Sequence, residues 1–334
     1  MKTRQGDRGA FGGTPGVVPT PTGTATGFNI NRDSTGARLS NYTFNAFKTV
    51  IRQESASAGI TDFVASQVVG NNCYRFWETT QGQESYNVSL LNSRVIGFER
   101  NAIRWFAVHG GLIDGLYAEG NQGGAFIGGI SIEGQCSDVT IKNTEVRNCF
   151  DKTDPDPLYS QGDGILVEGG QARIVIQDTR VIGTGDGGYD LKAIDMDLLG
   201  TLYAEDNGRG FRFHRVPRMS TATLVVKGSR GRGFWFQGQS GGIYPDLPVA
   251  DIGKTIALAP NGASSLYRFE SGAASIRVLN YDIVKEWRGI KLQENGGSGY
   301  GAVTFPNGGR VEQNDGTWIT YPGAPPTGSG GVIL

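Results

Sequence analysis

The sequence is poor in the residues that carry metal-site and disulfide chemistry. It has three cysteines and two histidines among 334 residues. Cys73, Cys136 and Cys149 cannot all pair with one another and show no metal-ligand spacing. We therefore expect buried, inert thiols and neither a disulfide framework nor a zinc site. The sequence also lacks a Rossmann glycine fingerprint and a phosphate loop.

Long hydrophobic runs and a strong charge of either sign are missing as well. No apolar run approaches the ~18 residues of a transmembrane helix, and the first residues, MKTRQGDRGAFGG, have no hydrophobic signal core. A net charge of -1 gives no general attraction to nucleic acid or to an anionic membrane. We expect neither as a partner.

Glycine is abundant, with 53 residues that fall at strand starts and turns without a strict period of three. This distribution favours a turn-rich β protein over collagen. Three short strands, at residues 164–169, 188–193 and 210–215, alternate apolar with other residues. Alternation places every second side chain on one face. The predicted inward residues are Ile165, Val167, Tyr189, Leu191, Phe211 and Phe213, and the predicted outward residues are Leu166, Glu168, Asp190, Lys192, Arg212 and His214.

The same strand pattern recurs nine times along the chain. Its outward markers are Arg75, Arg104, Ser131, Leu166, Asp190, Arg212, Trp235, Arg268 and Lys291. The steps between them run from 22 residues (Asp190 to Arg212) to 35 residues (Ser131 to Leu166). A second family of segments carries Asn92, Asn143, Asp178 and Asn280 at one equivalent place, where a sharp left-handed corner is expected. Together these repeats predict an all-β, right-handed parallel β-helix of about nine to ten coils.

The repeats also divide the chain. We expect an extended or disordered arm at 1–40, a short helical cap at 41–59, the β-helix at 60–295, and a tail or final coil at 296–334. Two rungs are over-long, because of residues 151–163 and 240–265. We expect both insertions to form loops that wall the groove containing the central strands.

The outward face combines arginines with large aromatic rings. The expected substrate-binding residues are Arg75, Trp77, Arg104, Phe106, Trp235 and Arg268. Guanidinium forks and exposed flat rings suit a long, carboxylated sugar chain. The alternative is a solvated sheet face on which opposite charges pair, such as Asp190 with Arg212 and Glu168 with Lys192. An acidic polysaccharide or oligosaccharide is therefore the expected partner.

On its rung periodicity, corner asparagines and polar outward grid, the segment 60–293 resembles the pectate-lyase-like superfamily of parallel β-helices. That superfamily includes polysaccharide lyases, uronate epimerases, polygalacturonase-type glycoside hydrolases and phage tailspikes. The resemblance implies a secreted, extracellular or periplasmic protein that is a monomer or a homotrimer. Fold alone does not choose among these activities.

Proton abstraction, as in a lyase or epimerase, is the first expected chemistry. By similarity to the alginate lyase and chondroitinase B group, Lys192 would be the base, Arg212 the neutralising group or acid, and His214 an auxiliary acid. The same resemblance makes Glu133 and Glu168 a possible calcium pair. Asp190 would be a further ligand or an orienting group.

Glycoside hydrolysis is the second expectation, since it needs two carboxyl groups about 5 to 9.5 Å apart. On an ideal sheet Glu133 and Glu168 are one rung apart, and Glu168 and Asp190 lie on a diagonal of ~8 Å. Asp163 and Asp186, in turns before two central strands, are candidates to supplement them, although turn chemistry alone also explains both. The third expectation is a glycan-binding spike without catalysis, because the basic and aromatic grid serves binding equally.

Overall fold

The computed structural model describes residues 16–18, 25–31, 34–54, 59–123, 127–152, 162–193, 195–215, 217–237 and 249–334. Over these residues the chain consists mainly of parallel strands that coil into a β-solenoid of about 9 turns. The predicted all-β, parallel β-helix class is therefore confirmed. Each coil is short because glycine, asparagine and aspartate interrupt the strands at regular places.

The described strands follow one another closely along the chain. In order they are β1 Gly16–Val18, β2 Thr26–Ile30, β3 Arg38–Ser40, β4 Tyr42–Asn45, β5 Thr49–Gln53, β6 Val64–Ser66, β7 Val69–Asn71, β8 Arg75–Glu78, β9 Ser85–Tyr86, β10 Ser89–Leu91, β11 Arg94–Phe98, β12 Asn101–Phe106, β13 Val108–His109, β14 Leu112–Asp114, β15 Tyr117–Gly120, β16 Gly128–Glu133, β17 Ser137–Lys142, β18 Glu145–Cys149, β19 Ile165–Val167, β20 Ala172–Thr184, β21 Gly187–Leu191, β22 Met196–Glu205, β23 Arg209–Phe213, β24 Met219–Lys227, β25 Arg232–Gln237, β26 Val249–Ala257, β27 Ser265–Ile283, β28 Lys291–Thr304, β29 Gly309–Glu312 and β30 Trp318–Tyr321. Two short 3-10 helices, Lys285–Trp287 and Ser329–Gly331, lie near the C-terminal end.

These strands stack in three columns. The first, sheet A, runs through β2, β5, β8, β12, β16, β19, β21, β23 and β25 into β27 and β28. Sheet B runs through β3, β6, β10, β14 and β17 into β20. Sheet C runs through β1, β4, β7, β11, β15 and β18 into the second part of β20. The outward surface of sheet A carries the candidate site.

The predicted inward residues of the central strands form the core. Ile165, Val167, Tyr189, Leu191, Phe211 and Phe213 all have 0% exposure, which confirms the alternation. The rings stack from coil to coil, with centroids 4.7 Å apart between Tyr189 and Phe211 and 5.3 Å between Phe211 and Phe234. Because these inward positions are fixed by stacking, the intervening residues of the same strands must face outward.

The predicted corners are confirmed at three of four positions. Asn92, Asn143 and Asp178 have φ angles of 46°, 50° and 48°, in the left-handed region. Asn280, within β27, is not among the residues with a left-handed φ angle. A corner residue there is therefore a wrong prediction.

The predicted N-terminal helix is also wrong. Residues 42–45 and 49–53 are strands β4 and β5, which pair with β1 and β2 in the solenoid. Phe44, Phe47 and Val50 are buried at a spacing of three residues. A coil that bends between short strands produces this helix-like spacing without a helix. The solenoid thus starts before residue 60, while residues 1–15 of the predicted arm lie outside the described residues.

Residues 153–161 of the first predicted loop and 240–248 of the second also fall outside the described residues. Residues 249–257, expected as loop, form strand β26 and pair with β24 and β27. At the C-terminal end, β29 and β30 form an antiparallel hairpin, and Phe305 and Ile333 are buried. The last residues therefore close the core.

The three cysteines are free and buried, as predicted. Burial raises the pKa of the Cys73 thiol to about 12 and that of Cys136 to about 11. The neutral thiol thus prevails at physiological pH. Within the described part of the chain, no helix has the length and apolar character needed to span a membrane.

Candidate functional site

A polar cleft of about 320 Å³ opens on the outward surface of sheet A, over strands β12 to β23. Its floor includes Gly128, Ser131 and Leu166. Nine ionisable side chains line it: Arg100, Arg104, Glu133, Asp163, Glu168, Asp186, Asp190, Lys192 and Arg212. Four cations thus face five carboxyl groups in one small volume, and their mutual distances decide what the cleft can do.

Asp190 is the centre of this charge cluster. It lies in β21, paired with Leu166 on one side and Arg212 on the other. Its side chain is 2% exposed, and Oδ2 lies 3.2 Å from Lys192 Nζ and 3.5 Å from Arg212 Nη1. Oδ1 lies 3.2 Å from His214 Nε2. The structure therefore brings together the five residues predicted for catalysis, since Lys192 also contacts Glu168.

The environment of Asp190 favours its ionised form. Burial alone would raise its pKa, but the contact with His214 and the positive charges of Arg212 and Lys192 outweigh burial and lower it. Asp190 is thus a buried anion held by surrounding groups. Because it is buried, with Lys192, Arg212 and His214 within 3.5 Å of its oxygens, Asp190 is poorly placed to attack a substrate directly.

Lys192 bridges two carboxylates. Its Nζ lies 3.0 Å from Glu168 Oε1 and 3.2 Å from Asp190 Oδ2. Burial favours the neutral amine, but the negative charges of Asp190 and Glu168 outweigh it and raise the pKa of Lys192. A lysine base needs a lowered pKa. This environment therefore disfavours the role of base that the sequence predicted for Lys192.

Asp163 lies in the turn before β19, close to Asp190. Its Oδ1 accepts a hydrogen bond of 2.9 Å from the backbone N–H of Gly187. A Cβ atom at position 187 would lie 3.0 Å from Asp163 Oδ1 and 3.4 Å from Asp190 Cβ. Glycine at this position therefore leaves the space that separates the two acids.

The pKa of Asp163 moves in the opposite direction from that of Asp190. Removal of the carboxyl from water, followed by the negative charge of Asp190, raises the pKa of Asp163 to about 7. A substantial fraction of one carboxyl group of the cleft thus stays protonated near neutral pH, while the environment of its neighbour favours the ionised form. Pairs of acids whose pKa values are pushed apart mark acid–base assignments in enzymes.

Asp186 and Gln237 hold Arg212 in place. Arg212 Nη1 lies 3.2 Å from Asp186 Oδ2, and its Nε and Nη2 donate to Gln237 Oε1 at 2.9 and 2.8 Å. Asp186 also forms an ion pair with Arg209. Arg212 is therefore an anchored cation with most of its donors in use.

Cationic side chains contact both Glu133 and Glu168, the predicted calcium pair. Glu133 accepts two hydrogen bonds from Arg104, of 3.1 and 3.2 Å, and Glu168 accepts from Lys192. Cationic side chains thus occupy the oxygens that calcium would need, and the two carboxylates do not fit a calcium site in this arrangement. Across the ranges described above, no group of three or more His, Cys, Asp or Glu side chains is arranged to hold a metal.

At the N-terminal end of the face, the predicted register is wrong. Arg75 pairs with Asn101 and Trp77 with Ile103, so that Glu78 rather than Arg75 stands beside Arg104. This different register turns Trp77 inward, where it has 0% exposure and packs edge-on against Trp105 at 5.3 Å. Trp77 is therefore a core residue and not a binding platform.

The other two aromatic residues predicted as exposed do face outward, but they are covered. Phe106 is 8% exposed beneath Arg104, whose guanidinium lies 4.6 Å from the ring centroid. Trp235 is 9% exposed beneath Arg209 and Arg212, at 4.2 and 5.0 Å. An expectation of open stacking surfaces at these positions is wrong, because arginines use the rings as cation–π partners.

The remaining predicted binding residues are engaged in ion pairs. Arg75 Nη1 lies 3.2 Å from Glu78 Oε1. Arg268 contacts Glu270 at 2.5 Å and Glu294 at 2.9 Å. Glu294 occupies the position beside Arg268 at which the sequence placed Lys291, which pairs with Ser265 instead. Much of the outward face is therefore a network of paired charges, as the alternative reading expected.

Asp163 and Asp186 were only supplementary candidates from sequence. A stronger signal was present, because Gly-Asp-Gly occurs at 162–164 and again at 185–187, before two successive strands of sheet A. Turn chemistry explains one such aspartate well. A turn alone does not require the same motif in two neighbouring coils beside Asp190.

Comparisons of this chain with protein-family models, with curated proteins and with solved structures find no match.

Proposed function

We propose that the cleft hydrolyses a glycosidic bond by general acid catalysis, with Asp163 as the proton donor. The observation that carries this proposal is the pair of neighbouring acids with opposite pKa shifts, Asp163 raised and Asp190 lowered. A protonated carboxyl is what the departing sugar oxygen needs, and an ionised neighbour stabilises the positive charge that develops on the sugar ring.

Glu168 is the proposed partner that activates water. Its side chain is 40% exposed, against 2% for Asp190, so water reaches it more readily. Lys192 holds it by a 3.0 Å hydrogen bond. Asp163 and Glu168 lie on opposite sides of Leu166 along the β19 segment. In an inverting mechanism a water would stand between the Glu168 carboxylate and the sugar, and the two carboxyl groups would lie about 6.5 to 9.5 Å apart.

The choice of a glycan as substrate depends on the resemblance to the pectate-lyase-like superfamily, whereas the choice of reaction depends on the two acids. An open cleft across several strands suits a polymer, because successive sugars can lie over successive coils. The proposal differs from the first sequence-based expectation in that a carboxyl group replaces Lys192 as the proton-transfer group.

The proposal is tested by incubating the protein with neutral and acidic oligosaccharides and measuring released reducing ends. We expect Asp163→Asn to lower turnover by ~100- to 10,000-fold, as for the loss of other general acids. Asp138→Asn is the matched control, since Asp138 is exposed on sheet B and paired with Arg173. Full activity in Asp163→Asn, or a carbon-13 carboxyl signal of Asp163 that titrates near pH 4, would contradict the assignment.

Proton abstraction from a uronate is the second candidate. It is favoured by the convergence of Lys192, Arg212 and His214 on Asp190, because these groups could neutralise a substrate carboxylate. Ionised Asp163 would then be the base. Ultraviolet absorbance of an unsaturated uronate would identify a lyase, and inverted C5 stereochemistry without cleavage would identify an epimerase. Saturable binding without either product would indicate a glycan-binding spike.

A further inference from the structure

A patch of arginines lies on the same face of sheet A, on the C-terminal side of the cleft. Arg209 of β23 pairs with Arg232 of β25. Trp235 of β25 stands between Arg212 of β23 and Arg268 of β27. We call these five residues the arginine patch. Three guanidinium groups lie around the Trp235 ring. Those of Arg209, Arg212 and Arg232 are 4.2, 5.0 and 5.8 Å from its centroid.

Carboxylates compensate three of these four cations. Asp186 pairs with Arg209 and Arg212, and Arg268 pairs with Glu270 and Glu294. Arg232 differs, because no carboxylate of the described residues lies within ion-pair distance of it. Its Nε atom is buried and has no hydrogen-bond partner. Burial of this Nε–H donor without an acceptor is unfavourable, and the partly exposed guanidinium has no carboxylate at ion-pair distance to balance its charge.

Other properties of the patch agree with a local excess of positive charge. Burial, and then the like charge of Arg268, lower the pKa of Arg232. Trp235 is 9% exposed, and its indole N–H is buried without an acceptor. Two groups that each have a buried donor without a partner thus belong to the same patch, with the Arg232 guanidinium 5.8 Å from the Trp235 ring centroid. An anionic group that approached Arg232 would compensate its unpaired charge.

We infer that Arg232, supported by Trp235, is the anchor of a subsite for an acidic substituent of the glycan, a carboxylate or a sulfate ester. The inference rests on the proposed function and specifies its substrate. Arg232 is three strands from the coil of Asp163, or about 14 Å at ~4.8 Å per strand. An acidic group held there would lie three coils from Asp163 and would fix which bond reaches it.

The subsite is tested by binding, without any need for turnover. The indole N–H signal of Trp235 is assigned by its loss in Trp235→Phe, and the protein is then titrated with glucuronate, glucose 6-sulfate and glucose against matched sodium chloride. We expect a saturable shift of this signal with at least one of the two anions and none with glucose. A response to glucuronate alone identifies a carboxylate site, and a response to the sulfate alone identifies a sulfate site.

The matched variants are Arg232→Gln and Arg218→Gln, the latter an exposed arginine paired with Asp195 and Asp197. We expect Arg232→Gln to weaken anion binding at least tenfold and Arg218→Gln to leave it unchanged. If Arg232→Gln does not fold, Arg232→Lys replaces it, since lysine keeps the charge but loses the planar fork and should weaken binding less. No shift with either anion, or equal binding by the folded Arg232 variant, overturns the inference. Anion binding without hydrolysis would support the subsite and contradict only the hydrolase proposal.

Discussion

The cleft and the arginine patch are built from the same outward positions of neighbouring strands, yet they balance charge differently. In the cleft, each oxygen of Asp190 faces at least one nitrogen of Lys192, Arg212 or His214. In the patch, Arg232 has no carboxylate at ion-pair distance within the described chain. The close charges of the cleft shift the pKa values of its acids, whereas in the patch the charge of Arg232 is left without a counter-ion.

This difference separates two roles that one polar face can have. The buried charges of the cleft shift two neighbouring acids in opposite directions, with the pKa of Asp163 raised and that of Asp190 lowered. An uncompensated cation does not transfer protons, but the approach of an anion stabilises it. On the proposed function, the cleft would carry the chemistry and the patch would select the substrate.

The largest expected effect comes from removing the central anion of the cleft. Asp190→Asn would leave Lys192 and Arg212 buried with reduced compensation, and loss of one partner from a buried ion pair costs about 3–5 kcal/mol. We expect a loss of this size in the free energy of unfolding, measured by urea denaturation at pH 7.

Asp197→Asn provides the control for this variant. Asp197 pairs with Arg218, whose side chain is 52% exposed, and such surface pairs contribute about 0–1 kcal/mol. Equal losses in the two variants would show that the contacts of Asp190 contribute no more than an ordinary surface pair, and would remove the basis for the comparison of cleft and patch.

The centre of the site was predictable from sequence because alternation in short strands is a strong constraint. Once Tyr189 and Leu191 face inward, Asp190 has to face outward, and the register with Leu166 and Arg212 follows from the aligned glycines. Trp77 shows the limit of this reasoning. A register different from the expected one, set by the pairing of Arg75 with Asn101, moved it from the surface to the core.

The electrostatic properties of the site were not predictable from spacing. The identity of Lys192 suggested a base, but its protonation depends on distances of 3.0 and 3.2 Å to two carboxylates. Likewise, turn chemistry is sufficient to explain Asp163 until its raised pKa beside Asp190 is known. A sequence specifies which groups share a face, whereas side-chain geometry and solvent access decide which of them titrate.

The second effect concerns pH and has an intermediate size. The folded-state pKa of Asp163 is raised from 3.8 to about 7, so its contribution to stability is present below pH 4 and is lost as pH rises through 7. Asparagine does not ionise. We therefore expect Asp163→Asn to match the wild type near pH 4 and to be more stable at pH 8. A pKa difference of one corresponds to about 1.4 kcal/mol, and we expect the gap to exceed this value.

Asp138→Asn should show the opposite sign in the same measurement. Hydrogen bonds from Arg173 lower the pKa of Asp138, so its ionised form contributes stability above the unfolded pKa and loses it as pH falls. The variant should therefore be slightly less stable than the wild type at pH 8 and equal to it at low pH. Parallel curves for Asp163→Asn and the wild type would mean that Asp163 titrates normally.

The smallest effect is expected in the arginine patch. Arg232→Gln removes a cation that has no ion pair to lose, so we expect a change of less than ~1 kcal/mol in the free energy of unfolding, or a slight gain in stability at low salt. Arg268→Gln is the contrast, since it removes the ion-pair partner of Glu270 and Glu294 and should cost more. If Arg232→Gln were as destabilising as Asp190→Asn, then Arg232 would be a structural cation. The patch would then resemble the cleft, and its charge would not be available to a substrate.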